Sequence, residues 1–337
     1  MTSLAHTGGV VSRVRALVPG MGTALLVAAA ASFVADTYGG PVMLLALLIG
    51  IALNFLSEGE KVEAGIRFTS KSVLKFGVAL LGLRIAASDV IALGGNTVVV
   101  LLVAMAITIF AGITFVSLQG HGRIFGILIG GATAICGASA ALAISTVLPE
   151  KPGKQQQTIF TVVAVTTLST IAMVTYPVFA NLVGFDDRTT GIFLGATIHD
   201  VAQVVGSGYA VSELAGDTAT IVKLFRVAML LPVVFLLSLL FRERGEGARK
   251  GRLPVPLFAL GFVAMVTVNS LGFVPEMLRE PLVSLSRWCL ISAVAAIGLT
   301  TSIKEMLNIG GTAIHAAIAT TLVLLVTVMS LLYFIGG

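Results

Sequence analysis

Apolar positions in this chain run together in blocks long enough to span the roughly 30 Å hydrocarbon layer of a bilayer. Such blocks lie near 17–35, 41–56, 72–87, 97–118, 158–182, 219–241, 253–272, 287–303 and 312–335. Two further blocks, 123–148 and 190–211, are just as long but are broken midway by small and polar residues. The pattern predicts an all-α, polytopic membrane protein of about 9–11 transmembrane helices, two of them interrupted, either broken or re-entrant. No stretch between blocks is long enough for a soluble domain, so residues 1–337 read as a single integral membrane domain. Arg13 and Arg15 before the first block superficially resemble a secretory signal, but the length of the block and the second span right behind it predict an uncleaved helix.

Composition agrees, since 57% hydrophobic and 11% charged residues with a mean hydropathy of +1.04 exclude a soluble domain of this size. The formal charge of +5 does not point to nucleic acid. Arg13, Arg15, Lys61, Arg67, Lys71, Arg123, Arg242, Arg244, Arg249, Lys250 and Arg252 sit in short loops that simple alternation places on one side, as positive-inside signals. Loops around Asp36 and Asp89 on the opposite side carry no lysine or arginine. A multi-pass protein of a bacterial inner membrane is expected. Cys136 and Cys289 both fall within spans, with neither a disulfide framework nor metal-ligand spacing. Absence of GxxxxGK[ST], HExxH and GxSxG signatures argues against a nucleotide-driven pump and an intramembrane enzyme, and no cofactor or metal is expected.

The charges also bear on the interrupted blocks. Lys151 and Lys154 join the other cations if 123–148 is a hairpin and leave them if it crosses; with both blocks as hairpins, the Asp186-Asp187-Arg188 loop also moves outside. Charge asymmetry thus favours re-entry. Internal repetition is a second clue: 78–95, VALLGLRIAASDVIALGG, aligns without gaps on 294–311, VAAIGLTTSIKEMLNIGG. An even number of crossings separates the copies, so they run in opposite directions. This predicts an inverted-topology repeat, although short Ala/Gly/Leu-rich segments also align by chance.

Interrupted helices point to a solute site at mid-membrane depth. In GILIGGATAICGASAALA (126–143), a break at Thr133 to Gly137 would leave the N–H groups of the second half-helix directed inward, a positive end suited to an anion. Thr133 and Ser139 add hydroxyl donors, while Gly130, Gly131 and Gly137 permit close approach; small residues here would equally suit tight packing. In GIFLGATIHDVAQVVGSG (191–208), His199 and Asp200 form an ionisable pair whose burial costs at least a few kcal/mol unless compensated. Gln203, four residues from His199 and three from Asp200, would share their cavity if the second half is helical. His199 or Asp200 could carry a coupled proton; alternatively Asp200 caps the half-helix by accepting from the Gln203 N–H. Lys223 and Arg226 follow at helical spacing. Snorkelling can rescue Lys223, whereas the deeper Arg226 suits pairing with Asp200 or an oxyanion.

The segments FGVALLGLRI (76–85), GATAICGASAALA (131–143), GATIHDVAQVV (195–205) and KLFRVAMLLP (223–232) resemble the YeiH family of bacterial membrane proteins, UPF0324-type, often labelled sulfate exporters. The resemblance spans nearly the whole chain and is most specific at ICGASA and IHDVAQVV. It implies membership of the cation:proton antiporter and anion transporter superfamily, an inverted-repeat bundle with interrupted helices crossing centrally. Crossing and re-entrant geometry therefore both stay open. Carried over by motif, the site would comprise Thr133, Cys136, Gly137, Ser139, His199, Asp200, Gln203, Lys223 and Arg226. Thr197 stands where family members often carry alanine, which adds a hydroxyl near the site.

These readings combine into an expected secondary transporter that moves a small anion, a sulfur oxyanion or small sulfonate, by alternating access. Thr133, Cys136, Gly137, Ser139, Thr197, Gln203, Lys223 and Arg226 would bind substrate, and His199 and Asp200 would couple H+ or Na+. A cation:proton antiporter and a passive anion channel are the alternatives. The expected partners are the anion, the coupling ion and the lipid bilayer, with a homodimer compatible with carriers of this kind.

Overall fold

A bilayer offers backbone groups no water, so a chain crossing it must close its hydrogen bonds internally. Among the described residues this chain does so with helices. The computed structural model describes residues 7–38, 42–241, 257–301 and 312–335. The helices are α1 (Thr7–Tyr38), α2 (Val42–Ala52), α3 (Glu60–Phe68), α4 (Leu74–Leu81), α5 (Ala87–Ala92), α6 (Gly94–Leu118), α7 (Arg123–Ala134), α8 (Ala138–Val147), α9 (Lys154–Val183), α10 (Asp187–Thr197), α11 (Val201–Val211), α12 (Glu213–Ala228), α13 (Leu230–Leu240), α14 (Leu257–Ser270), α15 (Glu276–Thr300) and α16 (Thr312–Ile335). Among the described residues, six runs are long and apolar enough to cross a membrane. The all-α polytopic architecture is the one the apolar blocks predict.

Several helices start earlier than hydropathy indicates. A π turn at Thr69–Val73 joins α3 to α4, so the helical run begins at Glu60 rather than near 72. Its first turns carry Lys61, Glu63, Arg67 and Lys71 on an exposed face, with Arg67 paired to Glu63 one turn back. Helix α15 likewise begins at Glu276, where Arg279 pairs with Glu276 at 3.4 Å. The loop read around Asp89 holds the short helix α5. The basic loop from Arg242 to Arg252 and residues 302–311 of the second repeat segment lie outside the described residues.

By contacts the chain divides into two units, Met1–Ala87 with Leu260–Leu307, and Ser88–Ala259 with Asn308–Gly337. In the first, glycines bring helices into backbone contact. A methyl group on Gly50 of α2 would sit 2.5 Å from Ala295 O and 3.0 Å from Gly298 Cα of α15. Beside this contact Asn54 Nδ2 donates to Leu299 O at 2.6 Å, and Ser286 Oγ donates to Gly77 O at 2.7 Å. Small residues let helices approach where lipid gives no hydrophobic drive to associate.

The second unit contains both interrupted blocks, and both fold back. Gly131 of α7 lies against the Ile144 side chain of α8, whose Cδ1 an added Cβ would meet. Residues thirteen apart in one straight helix would be about 20 Å apart. In the other block, Gly191 and Gly195 of α10 pack along α12 in increasing order, the first against Ala215 and Thr218, the second against Ala219 and Val222. Gly208 of α11 returns to the level of Ala215 and Gly216, and Ser212 then reverses the chain into α12, capping it by accepting from the Ala215 N–H. Thus α10 runs parallel to α12 and α11 antiparallel. Each block is a helical hairpin, hairpin 1 from α7 and α8, hairpin 2 from α10 and α11.

Arms of ten to twelve residues reach about 15–18 Å, half of a hydrocarbon layer. The continuous 30-residue helix α9 joins the end of hairpin 1 to the start of hairpin 2, so the two hairpins enter from opposite faces. Asp186 caps hairpin 2 at its base by accepting from the Thr189 N–H at 2.7 Å, which holds its carboxyl below the usual range. Re-entry makes a topological prediction. In a Cys136→Ala, Cys289→Ala background, single cysteines at Gly122 and Lys151 should react with an impermeant maleimide from one face of the membrane, and cysteines at Asp187 and Glu213 from the other. Labelling of Gly122 and Lys151 from opposite faces would mean that hairpin 1 crosses.

Candidate functional site

The two hairpin tips meet. Ile135, Cys136 and Gly137 form the first and Ile198, His199 and Asp200 the second. Gly137 has φ +62, a conformation that favours glycine, and a methyl there would lie 3.4 Å from His199 Cβ and 3.7 Å from the His199 carbonyl carbon. Each tip carries two helix ends. The C-termini of α7 and α10 present carbonyls with no partner inside their helices, and the N-termini of α8 and α11 present amides in the same position.

Helix α12 serves the C-termini. Arg226 Nε donates to Ala134 O at 3.0 Å, and Nη2 donates to Thr133 O at 2.9 Å and Ala134 O at 2.7 Å. Nη1 donates to Gly195 O, Ala196 O and Ile198 O at 3.1, 2.6 and 3.3 Å. Lys223 Nζ bridges Ile135 O at 2.8 Å and Ile198 O at 2.9 Å. The lysine is 0% and the arginine 1% exposed. This corrects two expectations: Lys223 does not snorkel, and the guanidinium spends its donors on six carbonyl contacts rather than on Asp200 or an open oxyanion site. The physical reason is that a helix C-terminus is itself an anionic partner, with a dipole end worth about half a negative charge.

The N-termini are treated unequally. Asp200 caps α11 by accepting from the Ala202 N–H at 2.8 Å, the capping role read from sequence but one residue earlier than the Gln203 amide. Helix α8 has Gly137, which has no side chain to cap with, at its cap position, and the Cys136 thiol faces its first-turn amide at Ala140. Its first turn carries Ser139, which is exposed although the tip residues before it are buried. Two helical N-termini therefore adjoin, one closed by a carboxylate and one open but for the Cys136 thiol.

Other expected site residues have separate partners. Helix α11 begins at Val201, so His199 lies outside it and does not share a face with Gln203. Nε2 of His199 is 3.1 Å from Thr321 Oγ1 on α16, while Gln203 Nε2 donates to Thr170 Oγ1 on α9 at 2.8 Å. The Thr197 hydroxyl bonds back to Phe193 O at 2.6 Å and is buried, as a threonine within a helix commonly does. Cys136 is a buried free thiol in the tip. Thr133 Oγ1 and Gln203 Oε1 are buried without a hydrogen-bond partner.

Sequence reading missed Ser169, whose Oγ accepts from the His199 and Asp200 N–H groups at 3.2 and 3.1 Å, and also Thr170 and Thr321. Hydroxyls inside apolar helices give no signal apart from their partners. Ser207, buried with an unpartnered Oγ, was legible, since it follows Gln203 at four-residue spacing on the same helical face.

Residues 19–332 match the family described as "Conserved hypothetical protein 698". The UPF0324 membrane protein CT0845 of Chlorobaculum tepidum is 49% identical over 314 residues, 92% of this chain and 88% of its own. The chain belongs to the UPF0324 membrane protein family. Another UPF0324 membrane protein, TauZ of Paracoccus denitrificans, is 47% identical over 96% of this chain and 97% of its own. RB0971 of Rhizobium meliloti is 47% identical over 94% and 93%. The resemblance carried by the motifs thus holds along nearly the full length. No solved structure matches this UPF0324 protein.

Carbonyl capping by Arg226 has a measurable consequence. Arg226→Leu should destabilise the protein by at least about 3 kcal/mol, since several buried acceptors lose their donor at about 1–3 kcal/mol each. Arg226→Lys, with a point charge in place of a planar fork, should fall between it and the parent. Thermal unfolding in detergent measures both; an unchanged melting temperature in Arg226→Leu would refute capping as what holds the tips.

Proposed function

We propose that this UPF0324 protein is a secondary transporter of a small anion, a sulfur oxyanion or small sulfonate, in a bacterial inner membrane. The observation that carries the reading is the N-terminus of α8 at the hairpin tips, which has no charged cap and meets only the Cys136 thiol at Ala140, with Ser139 exposed beside it and the neighbouring N-terminus of α11 closed by Asp200. Half-helix N-termini at mid-membrane depth receive anionic groups, because several amides and a positive dipole end converge there. Charge supports the same sign. Taken as ionised, Lys223, Arg226 and Asp200 leave one net positive charge at the tips.

Ser139 would add a hydroxyl donor to the amides, and Thr133 and Gly137 would shape the tip. Asp200 and His199 are the candidates to exchange a coupling ion, Asp200 because its carboxylate closes the helix beside the open one. Opposed entry of the hairpins fits an inverted-topology repeat within a single transporter domain. So does the position of Gly82 and Gly298, equivalent residues in the two aligned segments. Each lies against the backbone of a neighbouring helix, Gly82 near Phe262 O and Gly298 near Leu47 O.

The test begins with purified protein. A thermal-shift series over sulfate, sulfite, thiosulfate, taurine, bicarbonate and small carboxylates should yield one anion that raises the melting temperature saturably. Ser139→Ala should weaken that anion roughly tenfold, the worth of one hydrogen bond of about 1.4 kcal/mol. In liposomes, Asp200→Asn should retain the fold, because asparagine caps as well as aspartate, yet lose coupled uptake of the anion. Stabilisation by cations alone would favour the cation:proton antiporter, and flux that follows voltage without counterflow would favour a channel.

A further inference from the structure

The carbonyls gathered at the hairpin tips resemble a metal-cation site more than an arginine pocket. Thr133, Ala134 and Ile135 from one hairpin and Gly195, Ala196 and Ile198 from the other turn six backbone oxygens toward one small region, each set at the end of a helix. In carriers with broken helices, half-helix C-termini and unwound carbonyls of this kind coordinate sodium. Here the region is filled from α12. Lys223 Nζ takes one carbonyl from each hairpin, 2.8 and 2.9 Å away, and Arg226 takes the remainder. We infer that Lys223 is a tethered cation occupying the place of a dissociable one, so that the tips are held closed, and an anion received, without sodium.

Three features support this. The ammonium is fully buried, so the ion occupying the position does not exchange with solvent in this state. Its two acceptors are carbonyls on different hairpins, so one nitrogen joins the tips, and a side chain of equal length without a donor would leave both acceptors empty. Arg226, one helical turn on, already neutralises much of the negative end of both helices, so a second, diffusible cation would enter against a fixed positive charge. The ionisable groups around the ammonium are Arg226, Cys136, Asp200 and His199. The bridging of the tips stands by itself; only the statement about the anion rests on the transporter reading.

The experiment uses the full-length protein in detergent and needs no substrate. Melting temperatures of the parent are compared in sodium, potassium and choline chloride at equal ionic strength, and again for Lys223→Ala and Lys223→Met with added ammonium or methylammonium chloride. The parent should melt at the same temperature in all three salts. Lys223→Ala should melt lower and recover in a saturable way with methylammonium or ammonium, because a small cation refills the place between the carbonyls. Lys223→Met, which fills the volume without charge, should melt lower and not recover.

A saturable rise in the parent with sodium but not potassium would overturn the inference, whatever the variants do. So would a folded Lys223→Ala protein that no small cation stabilises. If Lys223→Ala yields no folded protein, the comparison of parent salts still decides. Absence of any anion-induced shift in the earlier series would sink the transporter reading and leave these results untouched.

Discussion

Everything in the second unit depends on how an interrupted helix disposes of its orphan carbonyls. A break inside a bilayer frees backbone acceptors that water cannot reach, and each costs on the order of 1–3 kcal/mol if left alone. This chain gathers the last carbonyls of two broken helices and satisfies both sets from one turn of α12, through Arg226 and Lys223. Two dipole ends of about half a negative charge each meet two cations, which explains how charged side chains persist at 0–1% exposure. Packing then follows from that junction. Gly191, Gly195 and Gly208 have no room for a side chain because hairpin 2 must lie flush on α12 for Arg226 to reach its end.

How much of this was legible in the sequence varies with the kind of information each feature requires. The breaks were, because Thr-Ala-Ile-Cys-Gly and Ile-His-Asp depart from apolar composition where a span should continue. Whether those breaks reverse the chain was not, since periodicity in an arm is the same whether the next arm continues or returns. Only contacts such as Gly131 with Ile144 separate the two. The charge of Lys151 and Lys154 leaned toward re-entry, and resemblance to carriers with crossing helices leaned away. The helical run from Glu60 to Lys71 escaped hydropathy for a different reason: one face of α3 is charged and exposed, although Ile66 and Thr69 on the other are packed.

Arg226 shows the same limit at the level of one side chain. A guanidinium fork fits a carboxylate, an oxyanion or a pair of carbonyls with nearly equal geometry, so residue type and depth identified a buried cation needing a partner without telling which. A sequence has no symbol for a helix end as an anion. Asp200 was nearer to legible: a cap on the second half-helix through the Gln203 amide was one of two roles its position offered, and the structure makes that bond one residue earlier, to Ala202.

The shared junction also constrains how anything could reach the open N-terminus of α8. Arg226 donates to both hairpins, and Lys223 bridges them with one nitrogen, so parting the tips by even the length of a hydrogen bond would strip donors from at least one set of carbonyls. Several such losses together would approach the net stability of a typical domain, about 5–15 kcal/mol. The tips therefore do not serve as separating gates in this state. The exposed side of the α8 arm carries Ser139, with Ala138 half-buried, while Cys136 and Gly137 stay packed behind them. Hairpin 1, hairpin 2 and α12 are thus tied through one cluster of charge, and the first-turn amides of α8 keep their geometry for as long as that cluster holds.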